Sequence, residues 1–322
     1  MKFVYVLSTS PSDYYYEQFF LSVTSLRLFN PDAFIVVLID SKTKQNLISK
    51  RSSYEKVVSE IQVIPTPLEL SQKEASRWIK TSVPHFVQGD FLYIDCDTVI
   101  TERIDLSYFK SFQIGAVLDN HVTLDIHHLK KHFQNEDISA GFSSSIKCDC
   151  RFNGGVIFSN GDTGALEFFE KWHSLWLEGL KNKCSQDMPS LNQANFELNN
   201  IISELPGEWN CQISHNGLPY LSEAKIIHYY ATSLSSLEPA FIFASPDVFQ
   251  SIRESGTLLP ELFMLLEKPK AAFKTFSRII SDKQTIDALD HSLLFKLIRF
   301  NKRNPSFKNK FNALFKYLLR KR

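Results

Sequence analysis

The chain has 322 residues, enough for one large domain or two of ordinary size. Hydrophobic residues make up 43% and charged residues 22%, which is typical of a folded globular protein and excludes a disordered chain. The net charge of +1 excludes a protein that binds nucleic acid through its overall charge, and we expect no nucleic-acid partner.

Features of the chain start and of its cysteines predict a cytoplasmic protein. Five cysteines with no C-x-x-C pair favour free thiols in a reducing compartment. The apolar run after Met1 is too short for a secretory signal. Elsewhere the sequence lacks the roughly 18 consecutive apolar residues that a membrane span requires.

The first hundred residues alternate between apolar runs and helical patterns. Strands are predicted at 2–8, 33–40, 61–65 and 91–94, and helices at 14–29, from 41 to about 60, and at 71–81. This alternation is typical of βαβ units and of a mostly parallel sheet. Ligands of such sheets bind beyond the carboxyl ends of the strands.

The second part of the chain continues the same pattern with longer interruptions. Strands are predicted at 113–119, 151–160 and 223–231, and helices at 164–179 and 187–198. The polar, His-rich segment 120–150 predicts a loop or lid with a short helix. After about residue 233 the strands stop and helical periodicity takes over.

Asp95 and Asp97 follow the buried strand 91–94 with one residue between them. Two carboxylates so close to each other repel and resist desolvation, so a positive charge is needed nearby. Asp is also common in turns, where it bonds backbone amides. A divalent cation accounts better for the pair, because Mg²⁺ and Mn²⁺ prefer carboxylate oxygens and phosphate oxygens.

Five short motifs give the carboxylate pair a context. They are, in chain order, "SRWIK", "LYIDCDTVI", "FNGGVIFSN", "DMPSLN" and "IIHYYA". Together they resemble the GT-A glycosyltransferases, and within them the retaining family 8, over residues 1 to about 235. The resemblance implies an α/β GT-A fold, Rossmann-like, with a mostly parallel central sheet flanked by helices. Helical periodicity and basic residues beyond that range predict a helical, basic C-terminal extension.

The resemblance also implies the site residues and the extent of the catalytic domain, and the sequence beyond it divides into two further segments. Asp95, Asp97 and His228 would bind Mn²⁺ or Mg²⁺, and Asp187 would be the catalytic residue. The predicted donor-binding residues are Tyr15, Arg77, Lys80, Asp95, Asn153, Gly154 and Gly155. Residues 1–235 would form the catalytic domain, 236–303 a helical extension, and 304–322 a separate helix.

The chemistry of these residues agrees with the resemblance. Two carboxylates and an imidazole form a mixed oxygen and nitrogen set that suits Mn²⁺ somewhat better than Mg²⁺. Arg77 and Lys80 are candidates to hold phosphate oxygens, and the two glycines to let the backbone approach the sugar. Asp187 is open to three roles: electrostatic stabiliser, nucleophile, or cap of the helix that follows it.

Two departures from the family pattern stand in the same region. Met188 occupies the position of the Gln in the family's D-Q-x-x-L-N motif, while Gln186 precedes Asp187. After His228 the sequence "YYATSLSS" replaces the usual continuation with Gly and Lys. We do not expect this chain to make the same contacts that other family members make through the missing Gln, Gly and Lys.

The end of the chain is a basic, amphipathic segment. Ten basic residues and no acidic one follow Asp290, so the rest of the chain carries nine more acidic than basic residues. In 304–322 the apolar residues fall on one helical face. A helix docked on the core is one interpretation. We favour a helix in the plane of an anionic membrane surface, which would place the protein on the cytosolic face of a membrane.

The sequence therefore predicts a metal-dependent glycosyltransferase. It would transfer a sugar from a nucleotide-sugar, with UDP as the expected nucleotide, to a glycan or lipid-linked acceptor with retention of configuration. A nucleotidyltransferase acting on a sugar phosphate is one alternative, and it would release pyrophosphate. A catalytically inactive, membrane-docked protein that binds sugar on the same fold is the other.

Overall fold

The structure, a computed structural model, describes residues 1–230, 240–274, 291–293, 296–297 and 300. Ten strands lie in these residues: β1 Lys2–Leu7, β2 Ile35–Asp40, β3 Glu60–Ile64, β4 Phe91–Ile94, β5 Thr98–Ile100, β6 Ile114–Leu118, β7 Phe152–Ser159, β8 Ile202–Glu204, β9 Cys211–Gln212 and β10 Ile226–His228. Nine α-helices accompany them: α1 Tyr15–Phe29, α2 Ser41–Asn46, α3 Gln72–Thr81, α4 Lys130–Ala140, α5 Ser144–Lys147, α6 Thr163–Lys181, α7 Met188–Glu197, α8 Pro246–Ser255 and α9 Pro260–Leu266.

The main sheet has seven strands in the order β3-β2-β1-β4-β7-β6-β8. Neighbouring strands are parallel except at β7, which runs antiparallel to both β4 and β6. The apolar strands are buried on both faces because helices cover each side. Along β1, for example, Phe3, Tyr5 and Leu7 join one core cluster, and Val4 and Val6 join the other. The predicted α/β fold with a mostly parallel central sheet is confirmed.

A second sheet of three strands, in the order β5-β10-β9, was not predicted. Val99 and Ile100 belong to β5, so the apolar run does not continue β4 as its sequence suggests. β5 pairs antiparallel with β10, which sets Ile226 opposite Ile100 and His228 opposite Thr98. Strands of two or three residues are too short to produce a periodic pattern. This small sheet positions His228.

Two predicted segments differ from the structure. The helix expected from 41 to about 60 is α2 followed by a 3₁₀ segment, Ser49–Lys56. The helix does not continue because the backbone leaves the helical region at Leu47 and is extended at Ile48. The segment 120–150 holds two helices, α4 and α5, instead of one short helix. Gly141 separates them in a left-handed conformation, with φ of 91°.

The predicted helical periodicity after residue 233 corresponds to α8 and α9. Phe241, Phe249 and Ile252 belong to the same core cluster as α1. Arg253 on α8 pairs with the buried Glu17 of α1 at 3.0 Å. The segment 304–322, for which a membrane-surface helix is predicted, lies outside the described residues. Among the described residues, none of the helices combines the length and the apolarity needed to cross a bilayer.

Candidate active site

The polar residues of the site gather where β4 ends. The backbone N–H of Asp95 donates to the carbonyl of Gly155 on β7, at 2.7 Å. The backbone N–H of Tyr229 donates to the carbonyl of Asp97, at 3.1 Å. The loop with the two aspartates is therefore tied to the main sheet on one side and to the small sheet on the other.

Asp95, Asp97 and His228 offer ligand atoms that all lie within 4.8 Å of one another. The imidazole Nε2 of His228 is 3.3 Å from Oδ1 of Asp97. Burial raises the pKa of the Asp97 carboxyl, but His228, the backbone N–H of Asp97 and Lys80 together outweigh burial and bring the pKa below the usual value. Two carboxylates and one imidazole nitrogen fit a divalent cation. The predicted ligand set is thus brought together.

A second group of charges lies beside this cluster. Arg77 and Lys80 are one turn apart on α3, so they share a face of the helix. Arg77 Nε is 2.9 Å from Oδ1 of Asp187, and Lys80 Nζ is 2.8 Å from Oδ2. Burial opposes ionisation of Asp187, yet the two cations hold its pKa well below the usual range. Asp187 is therefore a buried carboxylate that stays charged at neutral pH.

Lys80 connects the two groups of charges. Its Nζ is also 3.3 Å from Oδ1 of Asp95, and the side chain is almost completely buried. The hydroxyl of Tyr93 donates to the same Oδ1 of Asp95, at 2.5 Å. Asp95 therefore takes its positive partner from Lys80, while Asp97 faces His228. The charge that the carboxylate pair requires is supplied in part by the protein itself.

Asp187 does not cap the helix that follows it. Its side chain makes no capping hydrogen bond, so that interpretation of the sequence is wrong. Asn192 holds the start of α7 against β7: its Oδ1 accepts from the backbone N–H of Phe152 at 2.7 Å. This contact explains an Asn at the end of "DMPSLN". Of the neighbouring residues, Met188 is half-buried and Gln186 is exposed.

The two glycines make room for side chains of the protein. A Cβ on Gly155 would lie 2.4 Å from Cε1 of His228, and one on Gly154 would lie 3.3 Å from Nζ of Lys80. We predicted that these glycines let the backbone approach a sugar. The space beside Gly155 is instead filled by the His228 ring, so this residue is required for the position of the imidazole.

Asn153 lies at the centre of a buried hydrogen-bond network. Its Nδ2 donates to Asp119 Oδ1 at 3.1 Å and to the Tyr230 hydroxyl at 2.9 Å. Its Oδ1 accepts from the backbone N–H of Gly155 and from Nδ2 of Asn210, both at 2.9 Å. Both amide hydrogens are thus used within the protein, so a direct contact with a donor would have to replace one of them.

Sequence reasoning missed three members of this network: Asp119, Asn210 and Tyr230. Asp119 directly follows β6, and the rule that sites lie beyond strand ends offered a signal for it. For Asn210 in "EWNCQ" we recognised no sequence pattern that indicates a role in the site. Tyr230 stacks on the His228 ring with centroids 3.9 Å apart, which depends on the fold of the chain after β10.

Tyr15 lies at the start of α1, with 38% of the residue exposed. Partial burial and the negative charge of Asp13 raise the pKa of its hydroxyl, and the charges of Arg77 and Asp97 also act on it. Its ring is thus accessible and within electrostatic reach of the charged groups. The neighbouring Tyr14 instead packs on Phe249 of α8, with ring centroids 5.6 Å apart.

The mostly parallel sheet, with a carboxylate pair and a histidine at its edge, defines the GT-A class of glycosyltransferases. The model of the family described as "Glycosyl transferase family 8" matches residues 7–233, and the chain belongs to this family. It is a glycosyltransferase, and the resemblance carried by the five motifs is confirmed.

Solved structures support the fold. The galactosyltransferase LgtC, crystallised with donor and acceptor sugar analogues, is 15% identical, with a TM-score of 0.50 over 83% of this chain and 100% of that one. An active-site mutant of LgtC gives a TM-score of 0.52 at the same identity and coverage. Mouse xyloside xylosyltransferase 1 is 13% identical, with a TM-score of 0.47 over 72% of this chain and 98% of that one, too distant to support the comparison. No curated protein matches the chain.

The close approach of Gly155 to His228 predicts a difference between the two glycines. Gly155→Ala should lower the free energy of unfolding by about 1–3 kcal/mol, because the new methyl group overlaps a buried ring. Gly154→Ala is the matched control, since its methyl group would come no closer than 3.3 Å to a neighbouring atom, Nζ of Lys80. Urea unfolding of both variants measures the difference, and equal costs would contradict the assigned role of Gly155.

The low pKa of Asp187 predicts a pH-dependent contribution to stability. The folded-state pKa lies below the unfolded value of about 4, so the contribution is fully present above pH 4 and is lost as the pH falls. Asp187→Asn removes this carboxylate. The difference in unfolding free energy between wild type and Asp187→Asn should therefore shrink between pH 6 and pH 3. A difference that stays constant or grows would contradict the ion pairs.

Proposed function

We propose that the chain is a metal-dependent, retaining glycosyltransferase that takes a sugar from a UDP-sugar and transfers it to a glycan or glycolipid. The observation that carries the proposal is the set of ligand atoms of Asp95, Asp97 and His228 within 4.8 Å of one another. Membership of family 8 supports glycosyl transfer in general. The metal, the nucleotide, the stereochemistry and the acceptor class belong to the proposal.

Asp95, Asp97 and His228 would hold Mn²⁺ or Mg²⁺. When bound, such an ion supplies Lewis-acid stabilisation of the negative charge that develops on the departing diphosphate. Arg77 complements it from the protein side. Its ion pair with Asp187 runs through Nε, so its terminal nitrogens are the part of the guanidinium that a phosphate oxygen would contact.

Asp187 is assigned electrostatic stabilisation of the positive charge that develops on the sugar ring. Its two ion pairs, to Arg77 and Lys80, keep it ionised although its own side chain is buried. A carboxylate with so low a pKa is also a weak nucleophile. The ion pairs therefore favour the electrostatic role over attack on the anomeric carbon.

Five further residues complete the proposed donor site: Tyr15, Lys80, Asn153, Gly154 and Gly155. Tyr15 has an accessible ring that can stack on a nucleobase. Lys80 is 2% exposed and acts through the carboxylates that it joins instead of through a direct phosphate contact. For Asn153 and the glycines, a direct contact with the donor stays a prediction.

A panel of nucleotide-sugars with Mn²⁺ tests the function. The expected result is release of a nucleoside diphosphate from one UDP-sugar, at a low rate by hydrolysis and at a higher rate with an acceptor. Release of pyrophosphate from a sugar phosphate and a nucleotide would show a nucleotidyltransferase instead. Binding of a nucleotide-sugar without any turnover would show the catalytically inactive protein.

Asp97→Asn should weaken Mn²⁺-dependent UDP binding by at least about 100-fold, because the change removes one charged ligand. Asp105→Asn, which changes an exposed carboxylate away from the cluster, is the control and should bind as wild type does. Calorimetry with and without Mn²⁺ measures both variants. Equal affinity for Asp97→Asn and wild type under both conditions would rule out the metal site.

For the basic segment 304–322 the proposal rests on sequence alone. Each basic residue near an anionic leaflet contributes about 1 kcal/mol, and the apolar face adds burial. Deleting 304–322 should release the protein from anionic vesicles and leave turnover with soluble substrates intact. Co-sedimentation at low and high salt measures this. Equal vesicle binding by both forms, or aggregation of the shortened one, would place the segment in the folded core.

A further inference from the structure

The two ring nitrogens of His228 face different partners. Nε2 lies 3.3 Å from Asp97 Oδ1, on the side of the proposed metal site. Nδ1 lies 3.0 Å from the side-chain oxygen Oδ1 of Asn210. A neutral imidazole carries one proton, and only the nitrogen without it can bind a metal. The group that faces Nδ1 therefore decides whether Nε2 is available as a ligand.

The orientation of Asn210 follows from groups whose hydrogen-bonding roles are fixed. The oxygen and nitrogen of an amide side chain are assigned from their partners. The backbone N–H of Gly155 is always a donor, and it points at Oδ1 of Asn153. In this orientation Nδ2 of Asn153 faces a carboxylate oxygen of Asp119, at 3.1 Å, which can accept from it. Asn153 can therefore adopt only one of its two orientations.

The orientation of Asn153 fixes that of Asn210 in turn. Because Oδ1 of Asn153 is an acceptor, the group of Asn210 that meets it at 2.9 Å is the donor Nδ2. The oxygen of Asn210 then faces His228, and an oxygen there can only accept a proton from Nδ1. Asn210 is fully buried, so water does not offer Nδ1 another partner.

We propose that Asn210 is a positioning residue that holds the proton of His228 on Nδ1 and so presents the bare Nε2 to a divalent cation. The proposal rests on the metal site proposed above. Asp119, Asn153 and Asn210 form a relay, here called the amide relay, that ends on the imidazole. A lone pair directed at the carboxylate of Asp97 is unfavourable unless a cation or proton lies between them, so the relay prepares the site for a positive ion.

The same relay gives Asn153 a role that needs no direct contact with the donor. All four of its hydrogen-bond partners belong to the protein, and two of them, Gly155 and Asn210, are also neighbours of the His228 ring. Two residues of the motif "FNGGV" then serve to position the imidazole of His228. Its asparagine sets the orientation of the neighbouring amide, and its second glycine leaves space for the imidazole.

Asn210→Leu tests the proposal, because leucine is close in size to asparagine and cannot accept a hydrogen bond. Calorimetry with Mn²⁺ alone should show affinity about 10- to 100-fold weaker than wild type, the usual cost of losing a group that orients a metal ligand. Asn210→Asp keeps an acceptor facing Nδ1 but loses the donor to Asn153, and it should retain more affinity than Asn210→Leu. Asn195→Leu is the control. It removes another buried asparagine, one that bonds the backbone of Ile202 on β8.

Nitrogen-15 NMR of the His228 ring supplies a readout that a loss of stability alone would not move. With Mg²⁺, which is diamagnetic, the wild-type ring should carry its proton on Nδ1, and Asn210→Leu should lose this preference. The wild-type spectrum decides the assignment even if Asn210→Leu does not fold. A proton on Nε2 in the wild type, or Mn²⁺ affinity of Asn210→Leu equal to wild type, overturns the proposal.

Failure of the underlying function gives a different result. If the wild-type protein itself binds neither Mn²⁺ nor Mg²⁺, the proposed metal site is wrong, and the role of Asn210 as a positioning residue falls with it. If the wild type binds Mn²⁺ and Asn210→Leu and Asn195→Leu bind it equally well, only the role of Asn210 is wrong. The calorimetry of these three proteins therefore separates the two cases.

Discussion

The buried ammonium of Lys80 is shared by two carboxylates, those of Asp95 and Asp187. A buried carboxylate is costly unless a cation stands beside it. Lys80 comes from α3, Asp95 from the end of β4 and Asp187 from the start of α7. Because the charges balance only when all three elements are in place, this interaction fixes the edge of the sheet at which the site lies. It also keeps Asp187 ionised beside the proposed metal ligands.

The remaining carboxylate depends on the small sheet. Asp97 finds its partner in His228 because β10 pairs with β5, and that pairing places the two residues side by side. Asn210 reaches the imidazole from the opposite side. The two carboxylates of the D-x-D motif thus diverge, one toward the charges of α3 and one toward the imidazole. Asp95 follows β4 of the main sheet, whereas His228 lies on β10 of the small sheet and Asp97 faces it, so both sheets contribute to the proposed metal site.

Sequence reasoning was sufficient where a pattern is local. The long apolar strands and the carboxylate pair after β4 can be recognised directly in the sequence. The resemblance of the motifs to the family added His228 and Asp187 to the predicted site. The amide relay was not predictable, because Asn210 is one asparagine whose role arises from contacts with Asn153 and His228, distant in the chain. The glycines were predicted to let the backbone approach a sugar. The ring of His228, which only the fold brings next to Gly155, fills the space where a side chain at Gly155 would lie.

Crystals grown with Mn²⁺ and UDP would locate the metal, because manganese can be identified by its anomalous scattering. We expect one strong peak bonded to carboxylate oxygens of Asp95 and Asp97 and to Nε2 of His228, with Lys80 still between Asp95 and Asp187. A manganese peak at other residues, or bound UDP with no metal beside Asp97, would contradict it.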